Sequence, residues 1–492
     1  MLYSRSYKEN EMATIKHTAG RMALSTGIDY AIKRIQKDPV NGLMDIVEMV
    51  EKYMPSTKHD AVYTKTGNSF SNFRRFVEDP SSKWARYGAS LFTDIDPKIM
   101  KSLILNLGYE AGYSGLEKTR VLRDKYQANF PWIILFDPTS ACNMHCTGCW
   151  ASEYGHTKSL TYGQMDDLVN QGKELGAYFY MMTGGEPLVC KTDIVRLARE
   201  HKDCIFGIFT NGTLVDEKFC DDMKEVGNIF LNISIEGFAE ENDSRRGEGN
   251  FDMVLKAMDL LQANKLLYGT SICYTSKNYK TVVSDDFLDL LIEKGCKFSW
   301  YFHYMPVGNN ASPDLLLTPE QRAYMYRRIR EIREMDNPKR IFPLDFQNDA
   351  EFVKGCIAGG KNYLHINANG DVEPCVFIHY STANIKDVSL FEALQQPLFK
   401  AYYENQAFNE NHLQPCPMLE NPEFLAKMVK ETGAKSTDLE SPEDVDHLCG
   451  KCTGYAKEWA PVANELWNTS QKVKAEKLAA REAEAKSFAQ DA

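Results

Sequence analysis

Three cysteines with the spacing C-x3-C-x2-C are the residues of this chain whose types and positions point most directly to chemistry. Cys142, Cys146 and Cys149 follow an apolar stretch at residues 132–136. A tetrahedral structural metal site normally takes four nitrogen or sulfur ligands, whereas three thiolates can hold three irons of a four-iron cubane. The fourth iron would then be open to a substrate or cofactor.

A single zinc ion is the alternative occupant of this site. Clusters of cysteine and histidine with short spacings also form zinc sites. His145, His156 or a distant cysteine would supply the fourth ligand. The triplet alone therefore leaves iron–sulfur and zinc chemistry both open.

A second motif, Thr-Gly-Gly-Glu-Pro, follows the next apolar run of the chain. Gly184 and Gly185 let the backbone approach a ligand closely, and the Glu186 carboxylate, just before Pro187, can receive an ammonium group. A Gly-Gly turn on its own is more often structural than functional. The weight of this motif therefore depends on its position after a strand.

Polar residues also follow the third and fourth predicted strands. Asn211 and Gly212 come after the third strand, and Ser234 and Glu236 lie at the end of the fourth. Ligands bind at the carboxyl ends of the strands in α/β barrels. An ordinary turn is the alternative for Asn211 and Gly212.

Together these motifs resemble the signature of the radical S-adenosylmethionine (radical SAM) enzymes, and they occur in that family's order. In the family, the amino and carboxylate groups of SAM chelate the open iron, and an electron from the cluster cleaves the sulfonium to a 5′-deoxyadenosyl radical. The resemblance implies a SAM-binding 4Fe-4S cluster that serves to break an unactivated C–H bond. One position departs from the family pattern, because Gly148 precedes the third cysteine, where an aromatic residue is common, and Trp150 follows it.

The resemblance also implies roles for individual residues. The Gly-Gly-Glu-Pro motif would hold the amino group of SAM, and Arg245 or Arg246 would pair with its carboxylate. The loop at residues 304–308 looks like the loop that packs on the adenine. A solvated surface pair is the alternative for the two arginines. The predicted SAM-binding residues are Gly184, Gly185, Glu186, Pro187, Asn211, Ser234, Glu236 and Arg246.

Short apolar runs alternate with amphipathic stretches of helical length from residue 131 onward. This alternation predicts an α/β fold with parallel strands joined by right-handed crossovers. A complete barrel needs eight units, so six predict an open, partial (β/α)6 barrel, which is also the fold of radical SAM enzymes. The predicted strands are residues 132–136, 178–182, 205–210, 229–235, 269–275 and 297–303.

Regions on both sides of the barrel complete the predicted organisation. One apolar helix face in the N-terminal region is formed by Leu43, Ile46, Val47, Val50 and Met54. That face either packs on the barrel or meets a lipid or a partner. The predicted domains are an N-terminal helical region (1–125), the barrel (126–335), a SPASM/twitch-like auxiliary-cluster domain (336–460) and a charged helical tail (461–492).

A second group of cysteines, Cys356, Cys375, Cys416, Cys449 and Cys452, follows the barrel. The sequence Asn-Gly-Asp before the second of them predicts a tight turn between two short strands. This segment resembles the start of the SPASM or twitch extension, which carries auxiliary iron–sulfur clusters in part of the family. A full SPASM region usually supplies seven cysteines for two clusters, so five cysteines predict one auxiliary 4Fe-4S cluster, with a structural zinc site as the alternative.

Composition argues against several other classes of protein. A net charge of −11 argues against a nonspecific nucleic-acid binder, whose surface would be basic. The chain shows no apolar run approaching about 18 residues and no signal peptide, so it is predicted to be cytoplasmic, with peripheral membrane contact left open. Thirteen cysteines without a secretion signal favour metal binding or free thiols over disulfides.

The sequence therefore predicts a radical SAM enzyme whose substrate is not identified. A lipid or other apolar metabolite is preferred, because the N-terminal region is helical and residues 70–87, with Phe73, Phe76, Trp84 and Tyr87, are rich in aromatic rings. A SPASM-type enzyme that modifies a peptide or protein is the alternative. A non-catalytic iron–sulfur electron carrier or sensor is the alternative from another class. A flavodoxin or ferredoxin is the expected electron donor.

Overall fold

The computed structural model describes residues 2–53, 74 and 77–490, and the side chains of 17–39, 41–48, 74, 77–152 and 154–476 among them. Met54, Phe73 and Phe76, which the sequence singled out, lie outside the described residues, as does the side chain of Val50. No helix within the described ranges is long and apolar enough to cross a membrane.

Eleven strands occur in the described residues. They are β1 Ile133–Thr139, β2 Phe179–Gly184, β3 Ile205–Thr210, β4 Ile229–Ser234, β5 Tyr268–Tyr274, β6 Phe298–His303, β7 Phe342–Asp345, β8 Tyr363–Ile366, β9 Val372–Glu373, β10 Tyr380–Ser381 and β11 Lys435–Ser436. The first nine form one sheet in the order β7-β6-β5-β4-β3-β2-β1-β8-β9. Neighbours in this sheet are parallel except for β9, which is antiparallel to β8.

The six predicted barrel strands are confirmed as β1 to β6, which pair in sequence order. Two further parallel strands were not predicted, β7 beyond β6 and β8 beyond β1. The first of these is four residues long and contains Pro343, so it lacks the apolar run that marks the others. The second lies in the segment predicted as a hairpin, and it does form one with β9, with His365 opposite Glu373.

Helices account for most of the remaining described residues. The N-terminal helices are α1 Leu2–Lys37, α2 Pro39–Tyr53, α3 Lys83–Asp94, α4 Pro97–Leu103 and α5 Leu116–Tyr126, with a π-helix at Ile104–Gly115. The barrel helices are α6 Tyr162–Leu175, α7 Lys191–Glu200, α8 Glu217–Val226, α9 Ala239–Arg246, α10 Asn250–Ala263, α11 Asp285–Glu293 and α12 Pro319–Arg333. The C-terminal helices are α13 Leu390–Ala393, α14 Pro397–Asn405, α15 Pro422–Thr432 and α16 Val445–Gln490. Short 3₁₀ helices lie at Ser152–Tyr154, Pro187–Cys190, Thr281–Val283, Pro313–Leu315 and Asn348–Phe352.

Local side-chain bonds fix where the first crossover helix begins and ends. Thr161 and Gln164 form a capping box at the start of α6, in which each side chain accepts from the other residue's backbone N–H. The helix ends at Gly176, whose φ of +94° favours glycine. A Cβ there would lie 2.6 Å from the carbonyl oxygen of Gly115, so the N-terminal π-helix packs directly on this end.

The barrel strands are buried on both faces. Along β2, Phe179, Tyr180, Met181 and Met182 are all buried. Strands covered on both faces read as continuous apolar runs rather than as alternating ones, and such runs were the basis of the prediction. The partial (β/α)6 barrel with an N-terminal helical region and a C-terminal extension is thus confirmed as the fold.

A buried ionic network reinforces the pairing of β8 with β1. His365 on β8 contacts Asp137 on β1 (Nε2 to Oδ1, 2.9 Å) and Glu373 on β9 (Nδ1 to Oε2, 2.6 Å), and all three side chains are fully buried. Burial alone would lower the pKa of His365, but the two carboxylates outweigh it and raise that pKa to about 10. The imidazole is therefore charged at neutral pH and bound to carboxylates on both neighbouring strands.

A second buried ion pair joins the barrel to the last helix. Arg322 on α12 lies 2.5 Å from Glu420 (Nη1 to Oε1), and neither side chain is exposed. Arg322 also donates to Tyr455 Oη at 2.9 Å and lies 4.3 Å from the centre of the Trp459 ring, both on α16. The helix α16 continues without a break through residue 460, where the sequence predicts a domain boundary. The domain bounds remain predictions.

Removing Arg322 from this pair should destabilise the protein strongly. Arg322→Met keeps an apolar stem but leaves the Glu420 carboxylate buried without its partner, at a cost of about 3–5 kcal/mol. Anaerobic denaturation with urea measures the loss in free energy of unfolding. Arg327→Met, at an exposed position of the same helix, is the control and should change it by less than about 0.5 kcal/mol. Equal effects of the two substitutions would contradict the role given to Arg322.

Candidate active site

The cysteine triplet lies on one loop between β1 and the 3₁₀ helix Ser152–Tyr154, and its three thiols are partly exposed. The end of α9 holds this loop. The backbone N–H of Thr147 donates to the carbonyl oxygen of Arg245 at 2.9 Å, and Arg245 Nε donates back to the carbonyl oxygen of Thr147 at 3.2 Å. The loop is therefore fixed in place by residues almost a hundred positions further along the chain.

The environment of the triplet fits a metal cluster. Burial, reinforced by the charges of Glu186 and of the other two thiols, raises the pKa of Cys142 to about 11. Burial also raises the pKa of Cys149. Thiols that influence one another in this way are close neighbours, and a bound cation would favour their thiolate form. Within the described residues, no three Cys, His, Asp or Glu side chains converge on a position for a single metal ion.

Glu186 is buried at the end of β2 and joins it to the end of β3. Its Oε1 accepts from Thr210 Oγ1 at 2.7 Å and from the N–H of Leu188 at 2.9 Å, and its Oε2 accepts from the N–H of Asn211 at 2.7 Å. Burial raises the pKa of this carboxyl, although the three hydrogen bonds oppose the rise. Asn211 Nδ2 in turn donates to Asn143 Oδ1 at 2.8 Å, in the cysteine loop. Asn211 thus contacts the cysteine loop through Nδ2, while its Oδ1 accepts from the backbone N–H of Thr213 in a local turn.

The two glycines of the Gly-Gly-Glu-Pro motif are required by the approach of the cysteine loop. Gly184 has a φ of +109°, and a Cβ on it would lie 2.5 Å from the carbonyl oxygen of Thr139. A Cβ on Gly185 would lie 2.2 Å from the carbonyl oxygen of Ala141, next to Cys142. The sequence predicted a close approach to a ligand; in the structure the closest neighbour is the backbone that carries the cysteines.

A cavity opens beside the cysteine loop, and Ser234, Glu236, Arg245 and Arg246 contribute polar groups to it. Arg245 Nη1 and Arg246 Nη2 both donate to Glu236 Oε1, at 2.5 and 2.6 Å. The arginines are therefore not a solvated surface pair. Glu236 Oε2 and Arg246 Nε are buried and have no hydrogen-bond partner among the described residues. Because unpaired buried polar atoms are costly, this acceptor and this donor fit a ligand with both kinds of group, such as the amino acid portion of SAM.

The predicted SAM-binding residues thus fall into two sets. Ser234, Glu236 and Arg246 line the cavity. The residues from Gly184 to Pro187, with Asn211, are not among the described residues of its lining, although Thr183 is. Of this second set, Gly185 bonds to the end of β1, and Glu186 and Asn211 bond to the segment that carries the cysteines. The SAM-binding roles stay predictions for both sets.

Aromatic rings form much of the cavity wall, and sequence reasoning missed them. Trp300 and Phe302 stand two residues apart on β6, so they share one face of that strand. That alternation is the signal that could have placed them at the site. The rings that line the cavity include Trp150, Phe209, Trp300, Phe302, Phe346 and Phe377.

A second cavity is lined by three of the five C-terminal cysteines, Cys356, Cys375 and Cys416, together with Tyr363 and Tyr402. The Tyr363 hydroxyl donates to Cys375 Sγ at 2.7 Å. Burial raises the pKa of Cys375 to about 12, although this hydrogen bond opposes the rise. Three thiols around one cavity fit an auxiliary cluster.

Cys449 and Cys452 are buried near the start of α16 and do not belong to the described lining of the second cavity. Burial raises the pKa values of Cys416 and Cys452, and the nearby charge of Glu420 raises both further. Glu420 also accepts from the backbone N–H of Cys416 at 2.7 Å. Which of the five thiols ligate iron stays a prediction.

Glu186→Gln should lower both folding stability and SAM affinity. The NH2 group of the Gln amide would face a donor whose hydrogen bond the carboxylate now accepts. The loss of that hydrogen bond costs about 1–3 kcal/mol. Thermal unfolding and equilibrium binding of SAM to the reconstituted protein measure the two effects, and we expect SAM affinity to fall by roughly 10- to 100-fold. Glu240→Gln, at an exposed position of α9, is the control. Wild-type SAM affinity with a normal cluster spectrum would show that Glu186 only shapes a turn.

Two family models match the chain. That of the radical SAM superfamily matches residues 136–303, and that of the SPASM iron–sulfur cluster-binding domain matches residues 356–418. The first range contains the cysteine triplet and the polar part of the first cavity. The second contains Cys356, Cys375 and Cys416 and ends before Cys449 and Cys452.

Individual proteins show more distant similarity. The Fe-coproporphyrin III synthase of Methanosarcina barkeri is 27% identical over 235 residues, which cover 45% of this chain and 57% of that protein. The mycofactocin maturase MftC of Mycobacterium tuberculosis is 25% identical over 290 residues, which cover 54% of this chain and 73% of MftC. The crystal structure of Streptococcus suis SuiB bound to precursor peptide SuiA shows a likeness of fold, with 16% identity, a TM-score of 0.52 and coverage of 69% of this chain and 80% of SuiB.

The chain thus spans little more than half the length of the first of these relatives. The first matched range contains the cysteine triplet, and the second contains three of the five C-terminal cysteines. The chain thus contains a radical SAM domain and, C-terminal to it, a SPASM iron–sulfur cluster-binding domain.

Proposed function

We propose that this enzyme cleaves SAM reductively and abstracts a hydrogen atom from an apolar group of a peptide or protein. The observation that carries this proposal is that the cysteine triplet adjoins a cavity with aromatic walls. Gly148 and Trp150, the two neighbours of Cys149, both line that cavity. A 4Fe-4S cluster and SAM, when bound there, supply a 5′-deoxyadenosyl radical.

The residues of the chain bind, orient and shield in this proposal. Glu236 and Arg246 would hold the amino acid portion of SAM through the two buried atoms that have no partner. Glu186 would keep the cysteine loop in register through its bonds to the end of β3. Trp300 and Phe302 would exclude water from the radical, because their rings cover the wall of the cavity.

The charge of the cavity favours an uncharged reacting group. Among the described lining residues, Arg245 and Arg246 are the cationic side chains, and both are already bound to Glu236. Burial and the nearby charge of Arg322 lower the pKa of His303 to about 3, so that imidazole is neutral. A substrate group with several carboxylates would therefore find no free cation in this part of the cavity, whereas an apolar side chain would be well accommodated.

A peptide is favoured over the lipid that the sequence suggested. The indole N–H of Trp84 donates to the carbonyl oxygen of Arg333 at 3.2 Å, and the Tyr87 hydroxyl donates to the carbonyl oxygen of Lys297 at 3.0 Å. These rings pack on the barrel, which removes part of the argument for a lipid surface. The similarity to a mycofactocin maturase supports a peptide substrate.

An external one-electron donor is required by this reaction, and a flavodoxin or ferredoxin is proposed. The side chains of Asn143, His145 and Thr147 alternate along the cysteine loop and are exposed to solvent. A donor could approach the catalytic cluster from that side.

The reduced wild-type protein should convert SAM to 5′-deoxyadenosine and methionine, even slowly without substrate. Changing Cys142, Cys146 and Cys149 together to Ala should abolish this reaction, because no ligands would remain for the catalytic cluster. Liquid chromatography with mass spectrometry measures the product. Cys220→Ala, in which a buried thiol of α8 is removed, is the control and should retain it. Undiminished 5′-deoxyadenosine from the triple variant would refute the assignment of the catalytic cluster.

The iron content of that triple variant tests the auxiliary site in the same experiment. About four irons per chain should remain if the C-terminal cysteines hold one cubane. About one zinc and no iron would instead establish a structural zinc site. About eight irons would show ligands for a second auxiliary cluster beyond those predicted.

Deuterium transfer distinguishes a peptide from a lipid. The enzyme is incubated with SAM and reductant, together with an extract of host cells grown in fully deuterated medium. One incubation contains the peptide fraction of that extract, and the other contains its lipid fraction. The proposal expects deuterium in 5′-deoxyadenosine from the peptide fraction and none above the triple variant from the lipid fraction. Deuterium from the lipid fraction alone would overturn the peptide assignment and restore the lipid.

A further inference from the structure

The loop that follows β6 is held by an ion pair from the C-terminal part of the chain. The backbone N–H of Gly308 donates to Glu443 Oε2 at 3.0 Å, and Lys451 Nζ donates to the carbonyl oxygen of Gly308 at 2.7 Å. Lys451 Nζ and Glu443 Oε1 lie 2.6 Å apart, and the two side chains are 9% and 2% exposed. One buried ion pair therefore binds both backbone groups of Gly308.

Further contacts fix the position of Glu443 and bind a second residue of the loop. Tyr380 Oη donates to the carbonyl oxygen of Glu443 at 2.9 Å, and His447 Nδ1 lies 2.7 Å from Glu443 Oε1. Next to Gly308, the Asn309 amide donates to Ser441 Oγ at 2.6 Å. Residues 441–451 thus bond to this loop at both Gly308 and Asn309.

The other end of the same loop touches the cysteine triplet. Tyr304 and Met305 line the cavity beside the triplet. Gly148, with a φ of +67°, lies against Tyr304 so closely that a Cβ on it would be 3.0 Å from the ring carbon Cε2. Because Gly148 directly precedes Cys149, a shift of Tyr304 would change the packing around this ligand of the catalytic cluster.

We infer that Lys451 and Glu443 are positioning residues that couple the auxiliary cysteines to SAM binding. Lys451 lies between Cys449 and Cys452 in the sequence, near the start of α16. Ligation of these two cysteines would fix the turn that carries Lys451. Lys451 would then hold Gly308, and the loop would keep Tyr304 against Gly148. The inference rests on the proposed function only in that SAM binds beside the triplet.

Lys451→Met tests the coupling without any substrate. The Met side chain keeps the apolar stem but cannot donate to Gly308, so we expect SAM affinity to fall by about 10-fold, as for one charge-assisted hydrogen bond, with iron content unchanged. Equilibrium binding of SAM and the EPR spectrum of the reduced catalytic cluster in the presence of SAM are the readouts. Lys451→Arg, which keeps the charge, should restore most of the affinity.

Lys430→Met is the matched control. Lys430 pairs with Asp446, near the start of the same helix, at 2.6 Å, but both side chains are exposed. Removing an exposed ion pair costs little, so SAM affinity should stay at the wild-type value.

A double-mutant cycle then tests whether the auxiliary cysteines act through Lys451. Cys449→Ser with Cys452→Ser should also weaken SAM binding, and adding Lys451→Met should weaken it no further. If the losses of SAM affinity caused by the two changes multiply in the combined variant, the coupling is overturned. Wild-type SAM affinity of Lys451→Met would also overturn it. Loss of iron from the triplet in Lys451→Met would also overturn it, because it would show a general role in folding. A wild-type protein that holds iron at the triplet yet binds no SAM would refute the proposed function instead.

Discussion

The parallel pairing of β8 with β1 is the interaction on which the rest of the structure depends. β1 leads into the catalytic cysteine loop, and β8 begins the hairpin that carries Cys375. The charged imidazole of His365 lies between Asp137 and Glu373, so this pairing is locked by three fully buried ionic groups. Separating the strands would leave these charges unpaired or bring water into the core, and either change is costly. The catalytic cysteine loop and Cys375 therefore follow elements that belong to one sheet.

A consequence is that the first cavity has walls from both parts of the chain. Trp300 and Phe302 come from the barrel, whereas Phe377 follows the C-terminal hairpin. Tyr363 lines both cavities and donates a hydrogen bond to Cys375, so one side chain contributes to the walls of both. Such a shared, largely apolar enclosure suits a radical that must react with one bound group and not with solvent. The SPASM domain in this account shapes the active site as well as carrying its own cysteines.

Short-range patterns carried most of the prediction from sequence. The third strand has the predicted bounds, Ile205–Thr210, because strands buried on both faces read as unbroken apolar runs. The pairing of Glu236 with Arg245 and Arg246 was not predictable in geometry, because the turn between β4 and α9 decides which atoms meet. The bonds from Glu443 and Lys451 to Gly308 join positions more than 130 residues apart and have no local signal at all. Tertiary contacts of this kind determine the site once the motifs have located it.

Anomalous diffraction at the iron edge, from anaerobically grown crystals of the reconstituted protein, would show where iron binds. Two separate groups of iron are expected. One lies beside Cys142, Cys146 and Cys149 at the first cavity. The other lies in the second cavity, which is lined by Cys356, Cys375 and Cys416. Iron at the triplet alone, or a zinc-edge signal in the second cavity, would contradict the assignment of an auxiliary iron–sulfur cluster.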